Sequence, residues 1–200
     1  ATSRQLRSGG GNDLSNMLGL AIYEDQLWIT EGGDTLRRYS LSAAFTGTSQ
    51  YSSLSSHGLS GSNNNPTGIA VDATYLYVLD GTDQQFYRYS RTAPGTATAS
   101  RTLRSSGGVN LTGCQGAFLD GTNMYVVRNS TGDDSIHVFP LASLFSGVGD
   151  LNATESWTLP TANNLVAGVG VNPIPTVTSI VRLDPNPTNA ATVQFQVTFS

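Results

Sequence analysis

Pro66-Thr-Gly-Ile-Ala-Val-Asp72, followed closely by the apolar run Tyr75-Leu-Tyr-Val-Leu79, is the stretch of the sequence that decides the fold. The same arrangement of a glycine, an apolar run, a polar turn and another apolar run returns at Gly19–Thr30 and at Gly116–Val127. A fourth copy begins at Gly168–Asn172 and then stops. The leading glycines are about 50 residues apart, and a period of this length indicates tandem copies of one supersecondary unit.

Two further short strands complete each copy. A polar turn follows the second apolar run, then comes an alternating strand, and a last short strand ends in leucine. The alternating strands are Leu36–Leu41, Phe86–Ser90 and Ile136–Leu141, and the last strands are Gln50–Leu54, Ser100–Leu103 and Ser156–Leu159. Period-2 alternation between Gly and Asp turns is typical of strands. Four short strands in a unit of this length predict an all-β chain of β-propeller blades.

The predicted repeat region covers residues 1–172. Its blades span about 14–54, 63–103 and 111–159, which makes three complete four-stranded repeats. Residues 3–6 match the last strand of a unit that is otherwise absent, and residues 166–171 match an inner strand. Propellers have about 4–8 blades. We therefore expect the chain to be part of a longer polypeptide or to complete its ring with another copy.

The innermost strand of the second repeat resembles a known family. These units are similar to NHL- or YVTN-type propeller blades, whose innermost strand opens with Pro-x-Gly-Ile-Ala-Val-Asp. Pro66–Asp72 matches that pattern in full, whereas Gly19 and Gly116 keep the glycine without the proline. The resemblance covers about residues 3–172 and implies the propeller fold. It implies little about activity, because propellers include lyases, hydrolases and pure binding modules.

The composition changes at Asn172-Pro-Ile-Pro175, so residues 173–200 are interpreted as a linker and the first strands of a second module. Pro175–Ser200 resembles the start of a bacterial Ig-like module of large secreted or surface proteins, through Pro175-Thr-Val-Thr-Ser-Ile180 and Asp184-Pro-Asn-Pro-Thr-Asn189. An Ig-like sandwich needs about seven strands. The resemblance therefore implies an incomplete Ig-like β segment at the C-terminus.

The last stretch of the tail alternates cleanly. One face of the predicted strand carries Val193, Phe195, Val197 and Phe199. Two strands cannot bury such a face by themselves. We therefore predict that these residues take part in assembly, by strand addition to a neighbouring chain.

A polar binding face is the main candidate site. In a propeller, the turns between the second and third strands share one face with the loops that link blades. That face collects Glu31, Asp34, Asp80, Asp83, Asp133, Asp134, Asn64 and Asn65. Such groups would suit glycan hydroxyls or Ca²⁺, which takes about six to eight oxygen ligands. The alternative is hairpin chemistry, because Asp, Asn and Gly form tight turns. No Asp-x-Asp-x-Asp-Gly loop is present, so we predict no resident cofactor beyond this weak Ca²⁺ candidate.

The sequence offers no pattern for catalysis. His57 lies in a Ser/Gly loop and is expected to be exposed, and His137 lies in an alternating strand and is expected to face outward. The two histidines are far apart in the sequence, and neither a Gly-x-Ser-x-Gly elbow nor a paired-carboxylate motif is present. Cys114 is the single cysteine, which excludes an intrachain disulfide, and we expect a small buried thiol. The strand aromatics, among them Trp28 and Trp157, are expected to pack between blades rather than to form a sugar-stacking platform.

The composition excludes several classes of function. Charged residues make up 12% of the chain, and the net charge is −4. Scattered arginines on an acidic chain do not neutralise phosphates, so no nucleic-acid partner is expected. No run of 18 apolar residues is present, so no membrane span is expected.

Together these patterns predict a non-catalytic, secreted or cell-surface propeller module that acts in binding, adhesion or extracellular assembly. Its partners would be another protein, copies of itself through sheet edges, or a glycan. Two alternatives stay open. One is a structural subunit of an extracellular filament, joined by strand addition through the C-terminal tail. The other is a fragment of a propeller lyase or hydrolase.

Overall fold

The computed structural model describes residues 5–14, 16–46, 50–61, 65–129, 134–159, 177–183 and 192–199. Nearly all of its regular structure is β, which confirms the all-β prediction. Contacts divide the chain into two units, Ala1–Gly170 and Val171–Ser200. In the described part of the chain, no helix is long and apolar enough to cross a membrane.

The first blade is a four-stranded antiparallel sheet. A short strand, β1 (Leu6–Arg7), precedes it. The blade is formed, from inside to outside, by β2 (Met17–Tyr23), β3 (Gln26–Glu31), β4 (Thr35–Ser40) and β6 (Ser55–Gly58). The connection before its last strand holds α1 (Leu41–Ala44) and β5 (Tyr51–Ser52). The short helix begins at Ser40, whose hydroxyl accepts the Ala43 N–H as an N-cap.

The second and third blades repeat this plan. The second consists of β7 (Pro66–Val71), β8 (Tyr75–Asp80), β9 (Gln85–Ser90) and β10 (Ala99–Arg104). The third consists of β11 (Cys114–Leu119), β12 (Asn123–Arg128), β13 (Ser135–Pro140) and β15 (Glu155–Thr158). Its last connection again holds a short helix and a short strand, α2 (Leu141–Leu144) and β14 (Leu151–Asn152).

Parallel contacts tie the outer edges of neighbouring blades together. Strand β14 of the third blade pairs in parallel with β10 of the second, with Leu151 opposite Leu103. Strand β5 of the first blade pairs in the same way with β1, with Tyr51 opposite Leu6. Strand β1 therefore occupies, relative to the first blade, the place that a preceding blade's outer strand would occupy.

Tyrosine hydroxyls strengthen this arrangement. Tyr89 on β9 donates to the carbonyl of Ser60, which follows the outer strand of the first blade, at 3.0 Å. Tyr39 occupies the matching position on β4 and donates to the carbonyl of Arg7 at 2.9 Å. A tyrosine at the same position of each blade thus makes the equivalent hydrogen bond: Tyr39 bonds the residues of β1, and Tyr89 bonds the segment after the outer strand of the first blade.

The outer strand of the first blade differs from the sequence prediction. Gln50–Leu54 was expected to form it, but the strand that pairs with β4 is β6, which begins five residues further on. Leu59, not Leu54, matches Leu103 and Leu159 at the end of the repeat. Leu59 is buried and its N–H donates to the Asp34 carbonyl, whereas Leu54 is exposed. The insertion of β5 shifts the strand, and no local pattern in the sequence marks it.

The inner strands of neighbouring blades approach each other very closely. A Cβ atom on Gly68 would lie 2.9 Å from the Ala117 backbone nitrogen, and one on Gly19 would lie 3.3 Å from the Ile69 backbone nitrogen. Threonines bridge the same boundaries: Thr30 Oγ1 donates to the Pro66 carbonyl at 2.8 Å, and Thr67 Oγ1 donates to the Cys114 carbonyl at 2.9 Å. Glycine at these positions lets the backbones meet near the propeller axis.

Most of the core lies between blades. We call the side of a blade that contacts the following blade its front face, and the side that contacts the preceding blade its back face. Trp28 and Leu36 on the front of the first blade share an apolar cluster with Ile69 and Val78 on the back of the second. Between the second and third blades the cluster includes Tyr77, Phe86, Met124, Val126, Phe139 and Leu144. Burial of this kind contributes about 25 cal/mol per Å² of apolar surface.

The second unit contains one antiparallel hairpin, formed by β16 (Val177–Arg182) and β17 (Phe195–Phe199). Ile180, Val193, Phe195 and Val197 are exposed. The side chain of Phe199 lies outside the described residues, as do the predicted strand at 166–171 and residues 3 and 4 of the predicted strand at 3–6.

We expect Gly68→Ala to lower the free energy of unfolding by about 1–3 kcal/mol, because the new methyl group meets backbone atoms that cannot move aside. Gly58→Ala is the matched control, since nothing lies within 4 Å of a Cβ there. It should change stability by less than about 0.5 kcal/mol. Urea unfolding of both variants measures the difference. Equal stability for the two variants would contradict the close approach of the inner strands.

Candidate functional site

The turns between second and third strands lie on the same face as the loops that link blades. One hydrogen bond per blade joins the two: the carbonyl before the inner strand accepts the N–H of the residue after the second strand. The bonds run from Gly32 to Asn16 at 3.0 Å, from Gly81 to Asn65 at 3.0 Å, and from Asn129 to Gly113 at 2.9 Å. We call this surface the loop face. Asn65 contributes to it through its backbone carbonyl.

Two of the candidate carboxylates serve the turn that contains them. Asp80 is completely buried, and its Oδ1 accepts the N–H groups of Thr82 and Asp83 at 2.8 and 3.2 Å. Asp83 accepts the Gln85 N–H at 3.1 Å and the Tyr87 hydroxyl. Burial raises the pKa of Asp83, and the nearby Asp80 charge raises it further, while the Tyr87 bond acts in the opposite direction.

The carboxylate of the first blade's turn is also engaged. Glu31 is buried and forms an ion pair with Arg37, whose Nη1 donates to the Ser56 hydroxyl at 3.1 Å. Asp34 follows in the left-handed conformation, with φ of 58°, as Asp tolerates better than most residues. Its carbonyl accepts the Leu59 N–H. The side chains of this turn therefore hold the turn and the outer strand together.

The loop face brings acidic groups of two blades near one phenol. Tyr89 is buried; burial raises the pKa of its hydroxyl, and the charges of Asp34, Asp80 and Asp83 act in the same direction. Asp134 in the third blade accepts the Leu159 N–H through its carbonyl at 2.8 Å. Asp133 and Asn64 lie outside the described residues. Within the described ranges, no three His, Cys, Asp or Glu side chains form a group that could hold a metal ion.

The opposite face contains a carboxylate motif that the sequence analysis missed. Asp120 accepts the N–H groups of Thr122 and Asn123 at 2.8 and 2.7 Å and the Tyr125 hydroxyl at 2.7 Å. The Asn123 N–H, helped by the other two donors, lowers the pKa of Asp120 to about 2. Asp72 binds Thr74, Tyr75 and Tyr77 in the same way. In the sequence, this motif is marked by an Asp that is followed by a Tyr five residues later, and the pattern occurs in two repeats.

Both histidines differ from expectation. His57 lies in strand β6 rather than in a loop. His137 is buried rather than outward-facing: Nε2 lies 3.0 Å from the Ser135 hydroxyl, and Nδ1 lies 2.7 Å from the Ser156 hydroxyl. One of these hydroxyls comes from β13 itself and the other from β15, the adjacent strand of the same blade, which no local pattern could reveal.

The cysteine follows the sequence prediction of a buried thiol. Cys114 is buried at the start of β11, and its Sγ donates to the Leu111 carbonyl at 3.2 Å. Burial raises the pKa of the thiol to about 12. The thiolate is therefore scarce at neutral pH, which is typical of a structural cysteine.

The back of the first blade exposes apolar side chains at positions that are covered elsewhere. We call this surface the first end face, formed by Met17, Leu20, Ile22 and Phe45. Leu20 is 60% exposed, whereas its counterpart in the second blade, Ile69, is 2% exposed. Phe45 is 64% exposed, whereas its counterpart Phe145 stacks on Tyr77 with ring centroids 6.0 Å apart.

The front of the third blade exposes aromatic rings. Phe118 stacks on Tyr125 with ring centroids 4.7 Å apart, and Trp157 lies 6.3 Å from Tyr125. Trp157 is 46% exposed. In contrast, Trp28 and Tyr77, which take the position of Tyr125 in the other blades, are buried between blades, as expected for strand aromatics.

Known proteins resemble the chain in structure. No protein-family model matches it, and no curated protein matches it. It is similar to glutaminyl cyclase from Myxococcus xanthus, with a TM-score of 0.50 and 12% identity over 67% of this chain and 50% of that chain. It is also similar to the RRP9 WD40 repeats, with a TM-score of 0.47 and 11% identity over 70% of this chain and 38% of that one.

A third similar structure is BamB from Moraxella catarrhalis, with a TM-score of 0.42 and 13% identity over 78% of this chain and 37% of that chain. The chain thus spans half or less of the length of these proteins. All three are β-propeller proteins. The chain has the β-propeller fold. At such low identity, the likeness to the cyclase shows the fold alone and carries nothing about activity.

The raised pKa of Asp83 predicts a dependence of stability on pH. Because the folded state keeps this proton after the unfolded chain has lost it at its ordinary value of 3.8, the contribution of Asp83 is fully present below pH 3.8. It is lost as pH rises through the raised value. We therefore expect any advantage of the wild type over Asp83→Asn to shrink between pH 3 and pH 6, measured by urea unfolding. An advantage that grows over that range, or an Asp83 carboxyl that titrates below 3.8 by NMR, would refute this account.

Proposed function

We propose that this chain is a non-catalytic, secreted or cell-surface β-propeller module that binds protein through an apolar surface on its first blade. The observation that carries the proposal is the first end face, an apolar sheet surface beside the lone outer strand β1. The described carboxylates of the loop face support a non-catalytic role, because Glu31, Asp80 and Asp83 already serve turns and ion pairs.

The position of β1 indicates which strands would complete the blade to which it belongs. The strand matches the outer strand of a blade and pairs in parallel with β5, and Arg7 also forms an antiparallel bridge with Asp13. No other strand of its own blade pairs with it within the described residues. The corresponding strand β10 pairs on both edges, with β14 and with β9. The sequence supports the equivalence, since Ser3-Arg-Gln-Leu-Arg7 matches Ser100-Arg-Thr-Leu-Arg104. Completing this blade takes three antiparallel strands, from the same polypeptide or from another chain. The last of these would lie beside the residues that lead into Leu6, just as β9 pairs with Ala99–Thr102.

The internal blade boundaries show how such a partner would pack. Phe145, behind β13, stacks on Tyr77 at the front of the preceding blade, and Arg88 lies 5.1 Å from the same phenylalanine ring. Phe45 is placed in the same way behind β4. A front-facing aromatic ring of the partner would cover Phe45, while aliphatic side chains would cover Leu20 and Ile22.

A second copy of the chain does not fit this surface. The third blade, whose front face is open, already has its own outer strand β15 paired with β13. Docking it against the first blade would place β15 where β1 lies. The partner of the first end face is therefore an incomplete three-stranded blade and not the complete third blade of another copy.

The sequence resemblances support the location of the module. NHL- or YVTN-type repeats followed by the start of a bacterial Ig-like module are typical of large secreted or surface proteins. Binding or adhesion outside the cell, with protein rather than nucleic acid as partner, agrees with the net charge of −4.

The tail favours a second candidate function, a filament subunit joined by strand addition. In the hairpin of the second unit, Phe195 is 56% exposed and Val197 is 44% exposed. Exposed apolar strands of this kind pair readily with another sheet. This candidate uses a different surface, so it can be tested separately.

To test blade completion, residues 65–99 can be duplicated in front of Ser3, so that Leu6–Arg7 becomes the fourth strand of a copied blade. We expect hydrogen exchange at the Leu6 amide to slow by at least about tenfold, because the equivalent Leu103 N–H of the second blade donates to the Gln84 carbonyl at 3.0 Å. The matched control carries Asp at the copied equivalents of Tyr77 and Phe86, which removes the apolar front face. It should show no such protection.

A substitution in the first end face distinguishes the extended chain from the unextended chain. Leu20→Asp should change the stability of the unextended chain by less than about 0.5 kcal/mol, because the side chain is exposed. In the extended chain it should abolish the added protection. The proposal fails if the duplicated strands give no protection, or if the unextended chain dimerises in sedimentation experiments and Leu20→Asp abolishes the dimer.

For the filament candidate, Phe195→Asp should abolish self-assembly seen by sedimentation and electron microscopy, because strand addition would bury a charge in an apolar contact. Gln196→Asp adds the same charge on the other side of the strand and should leave assembly intact. Assembly that survives Phe195→Asp, or a wild type that remains monomeric, would exclude the donor-strand candidate.

A further inference from the structure

A buried arginine lies beside a polar cavity between the second and third blades. Arg101 on β10 is 9% exposed. Its Nη1 donates to the Ser146 carbonyl at 3.3 Å, and its Nε is buried without a hydrogen-bond partner in the described part of the chain. A buried charge is costly unless it is paired. Arg101 has no carboxylate partner among the described residues.

Other arginines of the three blades do have carboxylate or aromatic partners. Arg37, Arg91 and Arg104 each form an ion pair with a carboxylate. Arg38 and Arg88 lie over aromatic rings. Arg101 is more buried than these arginines, yet within the described ranges its guanidinium contacts neither a carboxylate nor an aromatic ring.

The cavity beside Arg101 has a volume of about 330 Å³. Gln85, Ser100 and Thr102 line it on one side, and Gly147 and Gly149 line it on the other. The loop passes close over the guanidinium, since a Cβ on Gly147 would lie 3.7 Å from Nη1 and 3.9 Å from Nη2. Ligand pockets in proteins begin at about 300 Å³, so the space suits a molecule the size of a monosaccharide.

The charges around the cavity favour an anion. Asp150 also lines it, but its carboxylate is paired with Arg104, with Oδ2 2.7 Å from Nε and 2.6 Å from Nη2. The carboxylate of Asp150 is thus paired with Arg104, whereas the positive charge of Arg101 has no carboxylate partner among the described residues. Arginine binds planar oxyanions through parallel N–H donors, and such charge-assisted bonds are the strong ones in proteins.

We propose that this cavity is an oxyanion site in which Arg101 binds the carboxylate or sulfate group of a small polar molecule, with the hydroxyl and amide side chains of its lining contacting the rest. The site is independent of blade completion, because it lies at a boundary between two blades that the chain itself contains. An acidic or sulfated sugar has the size and chemistry that the cavity takes.

The test is an NMR titration of the wild-type chain with sodium sulfate and with sodium glucuronate, using sodium chloride at equal ionic strength and neutral glucose as controls. We expect saturable shifts at the Arg101 Nε–H and at the Gly147 and Gly149 amides. The salt that saturates identifies sulfate or carboxylate as the group that is bound. Equal shifts with glucose or chloride, no saturation with either salt, or equal shifts at Arg88 and Arg104 would overturn the proposal.

Substitution gives the second readout. Arg101→Gln should weaken binding at least about tenfold, because a charge-assisted pair is lost. Arg101→Lys, which keeps the charge without the fork of donors, should weaken it less. Arg38→Gln removes the same charge from the first blade and should leave the dissociation constant unchanged. Circular dichroism confirms that each variant is folded; unchanged binding in folded Arg101→Gln refutes the assignment, and if that variant unfolds, the wild-type titration decides alone.

Discussion

The structure depends on the close approach of neighbouring inner strands. At the boundary between the second and third blades, the backbone of Gly68 lies so near that of Gly116 and Ala117 that any side chain would collide. The threonine hydroxyl of Thr67 then bridges the same boundary to the Cys114 carbonyl. This contact places blades side by side around an axis. Once the inner strands are fixed in this way, the larger apolar side chains further out meet between blades and form the core.

The same geometry decides what the surfaces can do. Because each turn is bonded to the linker beside it, the acidic residues of the loop face are drawn into turns and ion pairs, where Asp80 caps backbone N–H groups and Glu31 pairs with Arg37. The apolar groups show the opposite pattern. Ile69 and Phe145 are covered by a neighbouring blade, whereas their counterparts Leu20 and Phe45 are exposed. This difference is the basis of the proposed protein contact through the first end face.

Single residues show how far sequence reasoning reached. The repeat predicted the three blades, and the shared face of turns and linkers agrees with the bonds that Asn65 and Gly113 accept. The burial of Cys114 was also predicted. His137 was placed outward because its strand alternates, yet a serine on the adjacent strand makes its polar surroundings inside the blade. The outer strand of the first blade was misplaced because Leu54 and Leu59 fit a local pattern equally well, and only pairing with β4 distinguishes them.

By itself, the sequence determined the all-β class, the number of complete blades and the positions of the inner strands, because these follow from local period and from glycine spacing. The tertiary structure alone decided which polar groups are engaged, that β1 takes the place of a missing blade's outer strand, and that Arg101 lies buried beside a cavity without a carboxylate among the described residues. The physical reason is that these properties depend on contacts between strands about 50 residues apart, and the free energy of a buried charge or an open sheet edge depends on neighbours that local sequence does not specify.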